Sequence, residues 1–517
     1  MASADRISAL RGMRDVFGAE YWRARHAQDL LERRLRLHGY KPVDVPILEN
    51  TELYLRKAGE DIAARLYEFD YRSRRVALRP EVTASILRVY VERLQDEPLP
   101  LRLQYSGPVF RYEKPQQHRY RQFTLTGAEL LGASGPRADA EIIHLACSGL
   151  EQVGIRDYKL VIGHTDVLEG FLDGLGLRQQ LVNFLLRNME NLRKRGIGAV
   201  VASLREIYPE YESAAATAGS GEHEDGKQSQ QLINVLREMT DGEAHQAISD
   251  LLQSLNIRID SNRAEGEVIE RLLHKIREDQ QAPKLQVALD FMGRLGELAG
   301  APAETLPKAY ALAAEFKLDS GALDALGRTL ACLADYGDLS GAVELDFGLN
   351  RGLHYYTGLI FELHCPTSEG ETIQLCGGGR YDNLISILGG AEATPALGFA
   401  YGIERIASVL DAVNGAPAEG GEVAVIPVAD EDFAAGLAIA GELRARGIAT
   451  EVSIDGRNLG RRLKRADRRG ATLVIIIGEA ERAARTALLR EMRSRRERPV
   501  ALADLAETVE ELLSADG

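Results

Sequence analysis

Two β-patterned runs bracketing an arginine-rich loop constrain this chain more than any other feature. Leu101 to Phe110 (LRLQYSGPVF) is apolar and long enough for a strand, and Gln122-Phe123-Thr124-Leu125-Thr126 alternates as a second one. The loop between them has no apolar periodicity and carries Arg111, Glu113, Lys114, His118, Arg119 and Arg121. A hairpin with so long and charged a loop loses stability unless the loop holds an anion. Arg111 closes the first run, where a guanidinium can be held rigidly, and its planar fork suits phosphate or carboxylate. A merely solvated surface loop has the same composition.

Four other stretches offer site chemistry. Val76-Ala77-Leu78 leads into Arg79-Pro80-Glu81-Val82-Thr83-Ala84, a strand passing into a helix with proline at its start. Glu81 and Thr83 then face one site, where a carboxylate can receive an ammonium; a favourable acid at a helix N-terminus is the plainer reading. Arg351-Gly352-Leu353-His354-Tyr355-Tyr356-Thr357-Gly358 sets an arginine ahead of two tyrosines, which suits an anion beside a ring-lined pocket or ordinary aromatic packing at a strand start. Cys376-Gly377-Gly378-Gly379-Arg380-Tyr381-Asp382 reads as a glycine-rich loop after a strand, open to close approach by a ligand or simply a turn. Leu397 to Ile406 is a glycine-spaced strand running into a helix, with Arg405 near the junction.

At 517 residues the chain is too long for one compact core, so two to four domains are expected. An amphipathic helix spans Ala19 to His38 and stops at Gly39, and Tyr40 to Glu49 alternates like a strand whose prolines place it at an edge. A helix over Ala138 to Val153 and a buried strand over Lys159 to His164 follow. From Leu177 to about Ser340 helical patterns dominate: Gln180 to Lys194, Gln230 to Met239, Glu243 to Leu255, Glu265 to Asp279, Lys284 to Leu298, Leu306 to Phe316 and Gly321 to Asp335. Glu210 to Ser229 within that block reads as a flexible loop. Strands resume at Val343 to Phe347. Past the linker-like Asn414 to Gly421, three apolar strands alternate with helices, which predicts a small parallel α/β domain. Between Arg457 and Arg469 stand seven basic residues and one acid, a face suited to phosphates or simply to water.

The net charge of −14 excludes a uniformly basic nucleic-acid coat but not a local basic face. No apolar run is long enough to span a bilayer and the N-terminus has no signal-peptide core. Four scattered cysteines without CxxC spacing argue against a disulfide framework or structural zinc. A cytoplasmic protein without a resident metal is expected.

Phe110-Arg111-Tyr112-Glu113, the Pro115-Gln116 turn and Arg119-Tyr120-Arg121-Gln122-Phe123 resemble motif 2 of class II aminoacyl-tRNA synthetases, nearest to the histidyl-tRNA synthetase family. That family includes a non-catalytic branch, the regulatory subunit of ATP phosphoribosyltransferase. Ala19 to Glu49 resembles motif 1, the dimer interface of class II enzymes. RPE-x-T at Arg79 to Thr83 resembles the amino-acid pocket, Arg351 to Gly358 the histidine-specific motif, Gly377 to Asp382 the family's GGGRYD segment, and Leu397 to Ile406 motif 3. Gly456 to Glu481 resembles the anticodon-binding domain.

The resemblance implies an α+β class II catalytic domain, an antiparallel sheet flanked by helices, with a helical insertion and a C-terminal α/β anticodon-binding domain. Its boundaries fall at 1–175 and 341–412 for the catalytic parts, 176–340 for the insertion, 413–421 for the linker and 422–517 for the last domain. The implied activity is histidine–tRNA ligation through histidyl-adenylate, with ATP as substrate, Mg²⁺ beside it and tRNA(His) as acceptor, in a homodimer. Arg351, Arg111 and Arg405 are then catalytic. Glu81, Thr83, Glu129, Tyr355, Tyr356 and Tyr381 bind histidine; Arg111, Glu113, Arg119 and Arg405 bind ATP. Gln116, Arg461, Arg462, Lys464, Arg465 and Arg468 meet tRNA. Two positions depart from the synthetase pattern: Leu125 stands where glutamine is usual and His354 where aspartate is usual. They favour the alternative, a regulatory partner of a phosphoribosyltransferase catalytic subunit. The whole C-terminal domain and all three arginines favour the enzyme.

Overall fold

A computed structural model describes residues 7–56, 65–113, 120–208, 239–254, 281–337, 339, 341–349, 355–367, 370–413, 423–454 and 458–515. The chain divides into two compact units, Met1–Asp15 with Ala24–Asn414 and Val16–Arg23 with Gly415–Gly517.

The first unit begins with four short strands: β1 (Lys41–Pro42), β2 (Leu48–Asn50), β3 (Tyr67–Tyr71) and β4 (Arg74–Leu78). Eight more follow: β5 (Leu101–Phe110), β6 (Gln122–Leu131), β7 (Lys159–His164), β8 (Ala299–Gly300), β9 (Ala342–Asp346), β10 (Leu359–Pro366), β11 (Thr372–Arg380) and β12 (Ala396–Gly402). Nine of them form one sheet in the order β1-β5-β6-β12-β11-β10-β7-β9-β8, while β2, β4 and β3 form a small antiparallel sheet. The large sheet is antiparallel except for the β1–β5 and β7–β9 pairs. The β5–β6 hairpin is in register along its whole length, from Leu101 opposite Leu131 to Phe110 opposite Gln122. Tyr40 to Glu49 differs from the sequence expectation. It is not one strand but the two fragments β1 and β2, because Pro42 and Pro46 have no N–H to offer a ladder.

Helices cover the sheet. Gly18–Leu37 buries Ala27, Leu31 and Leu35, one stripe at helical spacing. Pro136–Gln152 starts on proline and lies against the sheet, where Tyr401 Oη donates to its Ala146 carbonyl at 2.7 Å. Between β7 and β9 the described helices include Gln179–Arg187, Met189–Arg195, Asp241–Ser254, Gln281–Gly296, Pro302–Glu315 and Gly321–Ala334. The expected helix over Gln180 to Lys194 is broken at Asn188, whose Nδ2 donates to the Phe184 carbonyl at 2.9 Å. The expected elements at Glu210 to Ser229, Gln230 to Met239 and Glu265 to Asp279 lie outside the described residues, apart from Met239. Phe171, Phe291 and Leu326 from this helical stretch share one core with Leu160, Phe361 and Phe399 of the sheet. Residues 299–300 are themselves the sheet's last strand.

The second unit holds β13 (Val423–Pro427), β14 (Thr450–Val452), β15 (Leu473–Ile477), β16 (Thr486–Glu491) and β17 (Glu497–Ala501), in the order β14-β13-β15-β16-β17. Helices Phe433–Ala445, Leu459–Arg468 and Leu505–Ala515 accompany them. The first three strands pair in parallel, but β16 and β17 pair antiparallel, so the sheet is mixed rather than parallel. Those two strands carry arginine and glutamate on their open side and lack the apolar run that marks β13 and β15.

Candidate active site

A cavity of about 100 Å³ opens over the large sheet, and Glu81, Thr83, Arg111, Tyr355, Tyr356 and Tyr381 are among the residues lining it. They come from four separate stretches of sequence. The turn ahead of the helix Thr83–Val89 supplies the first two. Pro80 does not start that helix: the Glu81 carboxylate does, accepting from the Ala84 N–H at 3.1 and 3.3 Å. The turn is fastened by Arg79, which is 3% exposed and donates to the carbonyls of Val45 at 2.6 Å and Pro108 at 2.8 Å. A side chain at Gly107 would run into the Arg79 guanidinium, which is why this point of β5 is bare.

Glu129 is wholly buried and stands behind the cavity wall. Thr83 Oγ1 donates to its Oε1 at 2.7 Å and Tyr381 Oη donates to its Oε2. The carboxylate thus orients two wall hydroxyls. Tyr105, also on the wall, has its phenol pushed well above the ordinary range by burial, and the Glu129 and Glu81 charges add to the effect.

Gly377, Gly378 and Gly379 are not a loop, as their composition suggests, but the middle of β11. Gly378 and Gly379 are bare because something packs on them. A Cβ at Gly379 would sit 2.8 Å from Tyr356 Cδ1, and one at Gly378 2.6 Å from Phe399 Cβ. Tyr355 and Tyr356 lie with ring centroids 4.6 Å apart, and Tyr381 meets Tyr355 edge-on at 6.0 Å. Gly398 stands opposite Glu129 in the β6–β12 register, and a Cβ there would collide with Glu129 Oε2.

Arg111 follows β5 directly. Its Nε donates to the Pro80 carbonyl at 2.7 Å and its guanidinium sits 5.2 Å from the Phe123 ring centre, so the charge is anchored next to Glu81. Arg405 is not among the cavity's lining residues; it donates from Nη1 to the Gln374 carbonyl at 2.9 Å. Its neighbour Glu404 accepts twice from the Thr124 N–H, at 2.8 and 3.0 Å, and burial holds its carboxyl above the usual range. Glu113 lies 3.6 Å from Arg65, another wall residue. Arg119, Gln116, Arg351 and His354 lie outside the described residues. Leu125 is on the wall and 8% exposed, and with Pro80, Phe399 and Ala400 it makes the apolar part of the lining. Sequence reading overlooked Arg65, Arg79 and Tyr105. Arg79 was legible in the RPE triplet and Tyr105 lies in the first β-patterned run without a motif of its own, whereas Arg65 sits in a stretch with no distinguishing pattern.

In the second unit the helix Leu459–Arg468 is capped by Asn458, which accepts from the Arg461 N–H at 3.0 Å. Arg461, Lys464, Arg465 and Arg468 are exposed, with Arg465 3.6 Å from Glu451. Arg462 departs from the expected phosphate-facing set: it is 9% exposed and donates to the carbonyls of Pro427 and Val428, the latter at 3.0 Å. Helical spacing turns it inward, where it completes the end of β13.

The sequence matches the family model for histidyl-tRNA synthetase over residues 12–266 and 229–406, and that for the anticodon binding domain over 422–512. The histidine–tRNA ligase of Pyrococcus horikoshii is 30% identical over 512 residues, covering 98% of this chain and 99% of the relative. That of Methanocaldococcus jannaschii is 31% identical over 474 residues, 91% of this chain and 92% of the relative. Among solved structures, apo histidyl-tRNA synthetase from S. aureus superposes with a TM-score of 0.63 at 23% identity, covering 98% of this chain and 100% of that one; this likeness is one of fold.

Proposed function

The chain belongs to the histidyl-tRNA synthetase family, and from that premise we propose that it is a histidine–tRNA ligase. A histidine carboxylate oxygen attacks the α-phosphorus of ATP in line. The P–O bond to the β-phosphate breaks, its electron pair leaves with pyrophosphate, and histidyl-adenylate remains. The 3′-terminal hydroxyl of tRNA(His) then attacks the carbonyl carbon and AMP departs. No protein nucleophile is needed; the catalyst positions the reactants and offsets charge.

The observation that carries this reading is that Glu81 and Arg111 line one cavity with three tyrosines. Opposite charges at one wall match an amino-acid zwitterion: Glu81 takes the α-ammonium, and Arg111 takes the carboxylate and the α-phosphate it attacks. The rings of Tyr355, Tyr356 and Tyr381 flank the imidazole, while Thr83 and Tyr381, aligned by Glu129, offer it hydroxyls. Arg351 stabilises the charge that develops during attack, Arg405 holds the nucleotide tail, and Glu113 and Arg119 complete the ATP site. Gln116 meets the acceptor end of the tRNA. The exposed basic residues of Leu459–Arg468 meet its phosphates.

Among the described residues no group of three or more His, Cys, Asp or Glu side chains could cage a metal ion. Mg²⁺ is proposed to arrive with the nucleotide, held chiefly by phosphate oxygens whose charge it eases. A homodimer is proposed, in keeping with exposed Leu48, Phe69 and Tyr71 on the small sheet and Ile47 just ahead of it. No described helix is long and apolar enough to cross a membrane, and a cytoplasmic location is proposed.

Histidine-dependent pyrophosphate–ATP exchange with purified protein tests the reading. Exchange is expected with histidine and with no other amino acid. Histidine binding without exchange, together with stimulation of a phosphoribosyltransferase, would replace the ligase by the regulatory branch.

A further inference from the structure

Arg121 is not among the residues assigned above, yet it gathers three segments of chain at the base of the motif 2 loop. Its backbone carbonyl accepts from the Arg111 N–H at 2.9 Å, closing the loop at its mouth. Its Nε donates to the Glu113 carbonyl at 3.1 Å and its guanidinium lies 4.1 Å from the Tyr112 ring centre. On the other side Arg121 Nη1 donates to the Arg11 carbonyl at 3.0 Å, and its N–H donates to the Gly12 carbonyl at 2.9 Å. Gly12 has φ of +85°, and a Cβ there would lie 2.7 Å from Arg121 Cδ. Only glycine therefore both makes the turn and admits this side chain. Two residues on, Arg14 places its guanidinium 3.9 Å from the Tyr120 ring centre.

We propose that Arg121 is a positioning residue for the nucleotide, and that the Arg11–Arg14 segment is its second support. Together they hold Glu113, one of the residues assigned above to ATP, in place through its backbone carbonyl. The inference rests on the ligase reading, since it takes Glu113 to be a nucleotide contact. The gain is preorganisation: a contact fixed before binding loses less freedom on meeting its ligand. The amino-acid pocket has fastenings of its own: the guanidinium of Arg111, which lines it, is anchored at the Pro80 carbonyl and beside the Phe123 ring.

Arg121→Lys keeps the charge but loses the fork that reaches both the Glu113 and the Arg11 carbonyl. Gly12→Ala keeps Arg121 but pushes it aside. ATP affinity by titration calorimetry, which needs no turnover, should fall roughly tenfold in each variant, while histidine affinity stays within about twofold. Because Gly12 acts through Arg121, the double variant should lose little more than the worse single one. Exchange kinetics should show the same split, with KM for ATP raised and kcat changed less. Unchanged ATP affinity in both single variants overturns the proposal. So does a parallel loss of ATP and histidine affinity, the mark of a general structural defect, or full additivity in the double variant. Absence of exchange in the wild type overturns the ligase reading instead, and the ATP titration still decides the role of Arg121.

Discussion

Tyr381 and Glu129, 252 residues apart in sequence, are joined by a buried hydrogen bond from phenol to carboxylate, and the same carboxylate takes Thr83 Oγ1 at 2.7 Å. Tyr381→Phe removes one donor from a carboxylate with no exposed surface, a loss of about 1–3 kcal/mol. Histidine affinity should fall roughly tenfold or more, with ATP affinity within about twofold. Equal loss of both ligands in titrations would show that the bond serves the fold and not the pocket.

Gly398→Ala makes a sharper test of the same carboxylate. The new methyl group occupies the space of Glu129 Oε2. Overpacking of this kind costs about 1–3 kcal/mol of stability. The expected result is a folded protein, seen by a cooperative thermal transition a few degrees lower, that no longer binds histidine at millimolar concentration. Normal histidine binding would mean that Glu129 can move without consequence.

How much of this was readable in the sequence depended on whether a residue's task was local. The hairpin β5–β6 lies where alternation and apolar runs place it, and Glu81, Thr83, Arg111 and the tyrosines reach one cavity as their motifs imply. Gly377–Gly379 were misread because a glycine run has the composition of a loop; what makes it a strand is Tyr356 and Phe399 packing on it from distant segments. Arg462 was misread because composition alone does not say which side of a basic helix faces the sheet. Arg121 had no visible role because its partners, Arg11 and Gly12, are more than a hundred residues away.

Arg351 is proposed to act as the α-phosphate is attacked, so Arg351→Ala should lower the exchange rate by roughly two orders of magnitude or more. Histidine binding should weaken far less. Lysine should restore only part of the rate, since a point charge lacks the fork. An alanine variant with near-normal kcat would remove Arg351 from the chemistry.

The basic helix of the second unit should separate into two classes. Lys464→Gln with Arg468→Gln removes two exposed charges, and the slope of log affinity for tRNA against log salt should become shallower by about 1.5–2. Arg462→Ala should leave that slope alone and lower stability by about 1–3 kcal/mol, because the Pro427 and Val428 carbonyls lose their donor. A filter-binding series across salt, with thermal melts of the same variants, reads both.

Glu169, on the helix Asp166–Gly174, has its carboxyl raised to about 7 by burial, reinforced by Asp166 and Asp173. Between about 4.5 and 7 the folded protein keeps a proton that the unfolded chain has released, so this group makes stability fall as pH rises through that window. Its penalty is complete above 7 and absent below 4.5. Glu169→Gln should stabilise by on the order of 1 kcal/mol at pH 8, after allowance for partial exposure, and by nothing measurable at pH 4. A gain that is the same at both pH values would assign it to packing.

The strand β7 lies beside both β9 and β10, so the chain leaves the sheet and rejoins it at adjoining places. The helical excursion between them is therefore a closed loop on a fixed anchor. Closure of such a loop becomes harder only with the logarithm of its length, by about 0.6 kcal/mol per doubling. Length added to the excursion away from Phe171, Phe291, Leu326 and β8, which the sheet and its core hold, therefore carries almost no thermodynamic penalty to the strands that carry Glu129 and Gly398. Away from those residues the excursion is a ready seam for grafting new surface onto an old catalyst.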